Sequence, residues 1–365
     1  MAELPADIAI GFDMHGCPNR CRHCWLSALG NDGINEDTVR RITGDFRTFV
    51  REGHQQPHFR KVWVSTEIRE PDVADDYRRL HALSAELSDG PVWRYELLSV
   101  WRLAHDPSYA GWAKSVGPDT CQITFFGGQQ TTDWFCRRAG AFDDAMLATQ
   151  RLLEAGMKPR WQIFANTMGL PELSDLLRLI DRLRLRERVA SLGAEFVAFI
   201  HLWGPCANTL GIEQLRPTVA DLQTAPLDLL ESTRRHRGQD VPWRSEGELC
   251  QAILDRPPWY GYGMEPGHMA WFLVSADLDV YFNAYDVAPA FCLGNLAAEP
   301  LSVVLGRFEQ DDAPGLRAIA QVSAQEQVRR FGDPSGRKAF CCENDLLQLY
   351  LARHWAANGA GQLRD

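Results

Sequence analysis

The order of apolar and amphipathic stretches constrains the fold of this chain most strongly. Short apolar runs with the character of strands are each followed by a longer stretch whose apolar residues recur at the spacing of a helix face. The predicted strands are 8–14, 60–66, 121–128, 158–167 and 195–204, and the predicted helices are 35–53, 72–89, 141–156 and 170–187. Strands that alternate with helices are joined by right-handed crossovers into a parallel sheet. The pattern therefore predicts an α/β protein.

Length and composition indicate a globular protein of two domains. A chain of 365 residues exceeds the size at which one hydrophobic core keeps growing, so a barrel-like domain and a smaller one are expected. Hydrophobic residues make up 45% and charged residues 24%, and the sequence holds no apolar run long enough to cross a bilayer. Because the first residues lack the pattern of a secretory signal, we expect a cytoplasmic protein that does not bind membranes. A net charge of −10 makes nucleic acid an unlikely partner.

Three of the ten cysteines are crowded into one polar loop. Cys17, Cys21 and Cys24 are spaced C-x₃-C-x₂-C. In a long chain without a secretory signal, such thiols favour metal ligation or catalysis over disulfides. Three thiolates with an open fourth position suit a [4Fe–4S] cluster that keeps one iron free for another ligand. A zinc site completed by His15 or His23 stays open as an alternative.

The cysteine spacing, followed by Trp25 and preceded by the strand-like stretch 8–14, resembles the radical SAM superfamily. This resemblance implies a partial (β/α)6 TIM-like barrel over residues 1–215, with the site at the carboxyl ends of its strands. It also implies that the three cysteines hold three irons of a [4Fe–4S] cluster while S-adenosylmethionine (AdoMet) chelates the fourth. Reductive cleavage of AdoMet would then give a 5′-deoxyadenosyl radical that abstracts a hydrogen atom from a substrate.

The resemblance also implies a residue for the AdoMet amine. In the family, the second strand ends in a Gly-Gly-Glu-Pro-like turn that receives this amine. Glu70 and Pro71 match the second half of that turn, whereas Ile68 and Arg69 stand where glycines are expected. The resemblance thus assigns the amine to Glu70, with Glu67 as its rival.

Later strand ends supply further candidates by the same resemblance. Gln122, Thr124 or Gln129 would approach the ribose or carboxylate of AdoMet, and Asn166 would contact the ribose. An asparagine at a strand end is also an ordinary turn residue.

Two arginines and one stretch at the end of the fifth predicted strand are further candidates for ligand contacts. Arg137 and Arg138 are candidates for binding a carboxylate or phosphate, although exposed charge is the simpler interpretation. The stretch 201–205 is a candidate wall for the adenine or the substrate.

The remainder of the chain predicts a bridging region over 216–245 and an α+β extension over 246–365. Residues 268–286 have the alternation of a hairpin, with an acidic turn at 277–279. The hairpin and the following Gly-Asn-Leu at 294–296 resemble the SPASM or twitch extension of radical SAM enzymes, in which extra cysteines hold auxiliary iron–sulfur clusters.

The extension departs from the family pattern. Leu278 and Asn283 stand where a glycine and a cysteine are expected. The remaining candidates for a possible auxiliary iron–sulfur cluster do not have the family spacing, and they are Cys250, Cys292, Cys341 and Cys342.

The extension favours a peptide or peptide-like natural product as the substrate, with an electron donor such as flavodoxin or ferredoxin. Because the predicted barrel begins almost at the first residue, no leader-binding domain is expected before it. A sugar, nucleoside or amino acid of a secondary-metabolite pathway is therefore a close alternative. The other hypotheses are a non-catalytic zinc-binding interaction protein and a degenerate radical SAM scaffold that binds AdoMet without cleaving it.

Overall fold

The structure of this chain is a computed structural model, and eight stretches of it are described below. They are 4–24, 26, 29–66, 69–92, 96–204, 207–261, 269–282 and 287–357. Several residues singled out by the sequence lie outside the described residues, namely Trp25, Glu67, Ile68, Pro205 and Asn283.

Strands and helices alternate along most of the described chain, which confirms the predicted α/β class. The strands are β1 (Asp7–Phe12), β2 (Lys61–Ser65), β3 (Thr120–Phe125), β4 (Lys158–Phe164), β5 (Ala198–His201), β6 (Arg244–Ser245), β7 (Met269–Val274), β8 (Asp279–Phe282), β9 (Cys292–Asn295) and β10 (Ala339–Phe340). The first helices are α1 (Glu36–Thr48), α2 (Tyr77–Leu87), α3 (Val100–His105), α4 (Tyr109–Val116), α5 (Gln129–Cys136), α6 (Ala141–Glu154), α7 (Leu173–Arg182) and α8 (Leu185–Ala190). They are followed by α9 (Val219–Gln223), α10 (Leu227–Arg237), α11 (Glu246–Leu254), α12 (Leu301–Glu309), α13 (Pro314–Gln321), α14 (Ala324–Phe331) and α15 (Glu343–Ala357). Short 3₁₀ turns occupy Leu170–Glu172, Ala207–Leu215 and Pro289–Phe291.

One sheet joins the beginning of the chain to its C-terminal part. Its strand order is β2-β1-β7-β8-β9. Strand β1 pairs in parallel with β2 and also with β7, where Asp7 lies opposite Met269. Strands β7 and β8 form the predicted hairpin, whose turn holds Leu278 at a φ of 66°. The sheet therefore continues across the predicted division at 216–245, and that division stays a prediction.

The second sheet has the order β3-β4-β5, with all strands parallel. The chain just before α3 runs beside β3, because the Gln122 N–H donates to the Glu96 carbonyl at 2.7 Å. Alternate side chains of β3 take opposite faces, as the pleat of a strand requires. Ile123 and Phe125 are buried in the core beneath the helices, whereas Gln122 and Thr124 lie on the other face.

Two helices differ from the prediction for local reasons. Helix α2 begins at Tyr77 instead of residue 72, because Asp72 adopts a φ of 58° and the Arg102 guanidinium donates to the carbonyls of Asp72 and Val73. The predicted helix 170–187 is split between α7 and α8, because Arg184 adopts a left-handed conformation with a φ of 53°. Within the described residues, no helix combines the length and apolar character that a bilayer crossing requires.

Candidate functional site

The three cysteines lie on a segment that directly follows β1. We call residues 13–33 the cysteine loop. Cys17, Cys21 and Cys24 are each partly buried in it. Burial, together with the negative charges of Glu70 and of the other two thiolates, raises the pKa of the Cys17 thiol to about 12. Three neighbouring thiolates would therefore need a cation to stabilise them, as metal ligands do.

The donor set fits an iron–sulfur cluster. Soft thiolates are the ligands that such clusters take, and three of them leave a position for another ligand. Beside these thiols, the buried Nε2 of His15 and Nη1 of Arg20 have no hydrogen-bond partner among the described residues. Among the residues that the structure describes, no three Cys, His, Asp or Glu side chains are arranged to hold a metal ion. The thiols would therefore have to turn towards one another to bind the cluster.

A fourth thiol, which sequence reasoning missed, contacts the loop. Cys136 at the end of α5 hydrogen-bonds with the Cys21 thiol, and this contact and burial raise the pKa of Cys21. The backbone reinforces the contact, because the Arg20 N–H donates to the Cys136 carbonyl at 3.1 Å and the Arg22 N–H donates to the Phe135 carbonyl at 2.8 Å. More than one hundred positions separate Cys136 from Cys21 in the sequence, so no motif indicated the pair.

Polar side chains fix the backbone of the loop on both sides of the cysteines. The Asn31 Oδ1 accepts from the Cys17 N–H at 3.2 Å and from Arg20 Nη2 at 2.5 Å. On the other side, Arg138 donates to Asn19 at 2.7 Å and pairs with Asp144 at 2.7 Å. The structure thus gives Arg138 an anchoring contact with the loop. Its neighbour Arg137 ends α5 with a φ of 53°.

The placement of His23 weighs against the zinc alternative. Its ring packs against Phe126 and Phe164, with centroid distances of 4.9 and 4.6 Å. Burial lowers the pKa of His23 to about 4, so the ring is neutral at physiological pH. To ligate a metal with the cysteines, the ring would have to leave this aromatic cluster. Burial also lowers the pKa of His15.

Glu70 interacts electrostatically with two of the cysteines, and its contact with the AdoMet amine stays a prediction. Its Oε1 accepts from Ser99 Oγ at 2.9 Å and from the Trp101 N–H at 3.0 Å, and these bonds orient the carboxylate. Burial raises the pKa of Glu70. Its charge also contributes to the raised pKa values of Cys17 and Cys21, which puts the carboxylate in electrostatic contact with the site.

The predicted β3 candidates have different surroundings. Gln122 accepts a hydrogen bond from Arg160 Nη2 at 3.0 Å. Thr124 lies two residues closer to the carboxyl end of the strand, on the same face, and is partly buried. Gln129 is exposed and donates to Asp143 at 3.1 Å on the surface of α5 and α6. Of the three, Thr124 is nearest the strand end at which the family site lies.

Asn166 has a structural function in the turn after β4. Its Nδ2 donates to the carbonyls of Phe126 and Phe164 at 2.6 and 2.9 Å, and its Oδ1 accepts from the Gly169 N–H at 2.8 Å. The side chain is fully buried, and both of its amide hydrogens are used. A contact between Asn166 and the AdoMet ribose stays a prediction.

The candidate wall after β5 begins with His201. Arg237 Nη2 donates to His201 Nδ1 at 2.8 Å. Burial, with the charge of Arg237 as a second cause, lowers the pKa of His201 to about 4. The imidazole is therefore neutral and accepts the hydrogen bond.

The four candidates for an auxiliary cluster lie in different surroundings. Cys250 is buried, and its thiol lies 3.2 Å from the Tyr350 hydroxyl. Cys292 packs against a cluster of Leu26, Leu273, Tyr281 and Val287. Cys341 packs against the core under the second sheet, whereas Cys342 is exposed. The structure therefore does not place these four thiols in one packing cluster, and an auxiliary cluster stays a prediction.

Comparisons with known proteins agree on the fold. The chain matches no protein-family model and no curated protein. Its structure is similar to that of anSMEcpe, an anaerobic sulfatase-maturating radical SAM enzyme, solved with bound AdoMet and the Kp18Cys peptide. The TM-score is 0.51 at 12% identity, over 97% of this chain and 98% of that one. The anSMEcpe complex with AdoMet and the Cp18Cys peptide gives a TM-score of 0.50 at 12% identity, over 98% and 99% of the two chains. The fold that the resemblance implies is thus confirmed, as a similarity of fold at 12% identity.

Proposed function

We propose that this chain is a radical SAM enzyme that acts on a peptide or peptide-like substrate. One observation carries the proposal: three thiols share one loop at the carboxyl end of a parallel strand, in a chain whose fold matches that of a radical SAM enzyme over nearly its full length. In the proposal, Cys17, Cys21 and Cys24 hold a [4Fe–4S] cluster. When bound, this group supplies the electron that cleaves AdoMet to methionine and a 5′-deoxyadenosyl radical able to abstract a substrate hydrogen.

Glu70 binds the amino group of AdoMet in this proposal by accepting a hydrogen bond from it. Ser99 and the Trp101 N–H already orient its carboxylate. Because burial raises the pKa of Glu70, the anionic form is costly until a cation lies beside it. AdoMet carries a positive charge on its sulfonium, so the site favours a ligand with this charge.

The surrounding residues would keep water from the reacting groups. Phe126, Phe164 and Trp203 are buried in one aromatic cluster, against which Cys21 packs. Exclusion of solvent suits radical chemistry, because an exposed radical would be quenched. Residues 246–365 would cover the barrel as a SPASM/twitch-like extension, and flavodoxin or ferredoxin would supply electrons.

A peptide is the favoured substrate because anSMEcpe was solved with the Kp18Cys and Cp18Cys peptides bound. Substrate class can be tested by measuring how far peptides, amino acids, nucleosides and sugars each stimulate the formation of 5′-deoxyadenosine. Stimulation by peptides alone supports the proposal. Stimulation by a sugar, nucleoside or free amino acid alone would move the protein to small-molecule chemistry.

The activity itself is tested by anaerobic reconstitution, iron and sulfide analysis, and a dithionite assay for 5′-deoxyadenosine. The wild type is compared with a variant in which Cys17, Cys21 and Cys24 are all changed to Ala. Cys121→Ala is the matched control, because Cys121 is buried in the core outside the loop. We expect about four irons per chain and 5′-deoxyadenosine from the wild type and the control, and neither from the triple variant.

Other outcomes separate the alternatives. Stoichiometric zinc without AdoMet cleavage would support the zinc-binding interaction protein. AdoMet binding without cleavage by a fully loaded wild type would support the scaffold. About eight irons per chain would indicate an auxiliary cluster.

The amine-binding residue is tested separately. We expect Glu70→Gln to weaken AdoMet binding about tenfold, because the amino group loses its anionic hydrogen-bond acceptor. Glu67→Gln is the comparison, and a larger effect there would transfer the function to Glu67.

A further inference from the structure

We infer that Arg69 closes the neck of the cysteine loop and so positions its three thiols for the cluster. The inference rests on the proposed function. Arg69 stands where the family pattern has a glycine, and its contacts in the structure explain why an arginine occupies this position.

The Arg69 guanidinium bridges the two arms of the loop. Nη2 donates to the carbonyl of His15 at 2.9 Å, on the arm that enters the loop. On the arm that leaves the loop, Nη2 also donates to the carbonyl of Gly30 at 2.6 Å, and Nη1 donates to the carbonyl of Leu29 at 3.3 Å. His15 precedes Cys17 by two residues, and Leu29 follows Cys24 by five. One side chain therefore holds together the two ends of the segment that carries all three thiols.

A carboxylate at the end of β1 holds the guanidinium in place. Arg69 Nε lies 3.1 Å from Asp13 Oδ1, and Nη2 lies 2.9 Å from Oδ2. Only 3% of the Arg69 side chain and 2% of the Asp13 side chain is exposed. The Asp13 N–H in turn donates to the carbonyl of Val274 at 3.0 Å, at the end of β7. The neck of the loop is thus fixed to the sheet.

Only arginine has the donors for this arrangement. Its planar fork binds a carboxylate with two parallel hydrogen bonds and still offers further N–H groups to carbonyls. A lysine has three donors at one point and cannot pair Asp13 in the same way, and a glycine has no side-chain donor. Burying a guanidinium is costly, and here one carboxylate and three carbonyls offset that cost.

Closure of the neck by Arg69 affects cluster binding because closure of a loop costs entropy. A loop whose ends are already joined loses less freedom when its thiols converge on one cluster. Without Arg69 the two arms would lose this link and keep the contact of Asn31 with Cys17, so cluster binding would have to order more of the loop. Mutation of residues that position metal ligands in this way typically lowers metal affinity tenfold or more.

The test compares Arg69→Ala and Arg69→Lys with Arg60→Ala. Arg60 is the matched control, because it forms a bidentate pair with Asp7 at the opposite end of β1, although its side chain is 70% exposed. Three properties are measured: amide hydrogen exchange over residues 16–24 in cluster-free protein, iron and sulfide after anaerobic reconstitution, and the electron paramagnetic resonance spectrum of reduced protein with and without AdoMet.

For Arg69→Ala we expect exchange in the loop to be about tenfold faster and iron affinity to fall about tenfold, with an altered spectrum in the remaining cluster. Arg69→Lys should recover part of the exchange protection, and Arg60→Ala should match the wild type in all three measurements. The inference is wrong if Arg69→Ala matches Arg60→Ala while the wild type binds its cluster.

Two further outcomes are distinguishable. If Arg69→Ala does not fold, Arg69→Lys decides, and wild-type exchange, iron and spectrum in that variant would overturn the inference. If the wild type binds no iron, the proposed function fails and so does the inferred purpose of Arg69, even where exchange shows that Arg69 closes the neck.

Discussion

Strand β1 has an Arg–Asp pair at each end, and the two pairs behave differently. At the amino end, Arg60 binds Asp7 through Nε and Nη2 at 3.0 and 2.7 Å. At the carboxyl end, Arg69 binds Asp13 through the same two nitrogens at 3.1 and 2.9 Å. The geometry is nearly equal, but Arg60 is 70% exposed and Arg69 only 3%. The comparison isolates the effect of burial on one kind of ion pair.

Burial reverses the sign of the pKa shift of the aspartate. The hydrogen bond from Arg60 is the main cause that lowers the pKa of Asp7. For Asp13, loss of hydration outweighs the attraction of Arg69 and raises the pKa to about 6. A bidentate arginine is therefore insufficient to predict the ionisation of its partner. The exposure of the pair to water determines whether the attraction of arginine or the loss of hydration has the larger effect on the pKa. The exposed pair joins two strands, whereas the buried pair fixes the segment that carries the cysteines.

The largest expected difference between the pairs is in stability. Arg69→Met leaves Asp13 buried without its cation and deprives three carbonyls of a donor, so we expect the free energy of unfolding to fall by about 3–5 kcal/mol. Arg60→Met exposes Asp7 to water, so we expect a fall of less than about 1 kcal/mol. Urea titration of the cluster-free proteins, followed by circular dichroism, measures both. Equal losses for the two variants would show that burial does not separate the pairs.

The pH dependence of stability should have opposite signs at the two ends. The pKa of folded Asp13 lies above the unfolded value of 3.8. Its contribution to the free energy of unfolding is therefore fully present below pH 3.8 and is lost as the pH rises to about 6. The free energy of unfolding of the wild type, relative to Asp13→Asn, should fall by about 2 kcal/mol between pH 4 and pH 6.5.

At the other end of the strand, the pKa of Asp7 is lowered. Its contribution to the free energy of unfolding is therefore present above pH 3.8 and is lost as the pH falls further. The wild type should therefore gain stability relative to Asp7→Asn as the pH rises through the acid range. Urea titrations at several pH values measure both differences, and slopes of the same sign would contradict the comparison.

Two glycines give the smallest expected effects. A Cβ on Gly33, in the exit arm of the cysteine loop, would overlap the carbonyl oxygen of Met14 in the entry arm. Gly33→Ala should cost about 2 kcal/mol and lower iron retention, because the neck must widen. Gly53, before β2, has a φ of 78° but nothing within reach of a Cβ, so Gly53→Ala should cost about 1 kcal/mol and leave iron unchanged. Thermal unfolding and iron analysis measure both effects. Equal iron loss in the two variants would show that the loss does not arise at the neck.

The fold class was predictable because it depends on local periodicity. Alternating apolar positions in β3 and the amphipathic face of α6 are properties of neighbouring residues. The start of α2 was missed because it depends on Arg102, which lies 30 positions from Asp72 and fixes its carbonyl. The pairing of β7 with β1 could not be predicted, because no local pattern states which strand will lie beside another.

The site was predictable to a similar degree. The cysteine spacing indicated the loop, and the Glu-Pro dipeptide indicated Glu70, because both motifs are contiguous in sequence. Arg69 was recognised only as a departure from a pattern, since its purpose depends on carbonyls 39 to 54 positions away. No sequence motif indicated Asp13 or Cys136, because the function of each depends on a contact with a residue far away in the sequence.

The parallel pairing of β1 with β7 has a consequence for the order in which the protein folds. Asp7 can meet Met269 only after more than 250 intervening residues have been synthesised. Until then, one edge of β1 offers unpaired N–H and carbonyl groups to any other strand. Contacts of such long sequence separation form slowly, and exposed edges favour association with other chains. Ribosome-bound intermediates shorter than this length should therefore need a chaperone at the strand that precedes the cysteines.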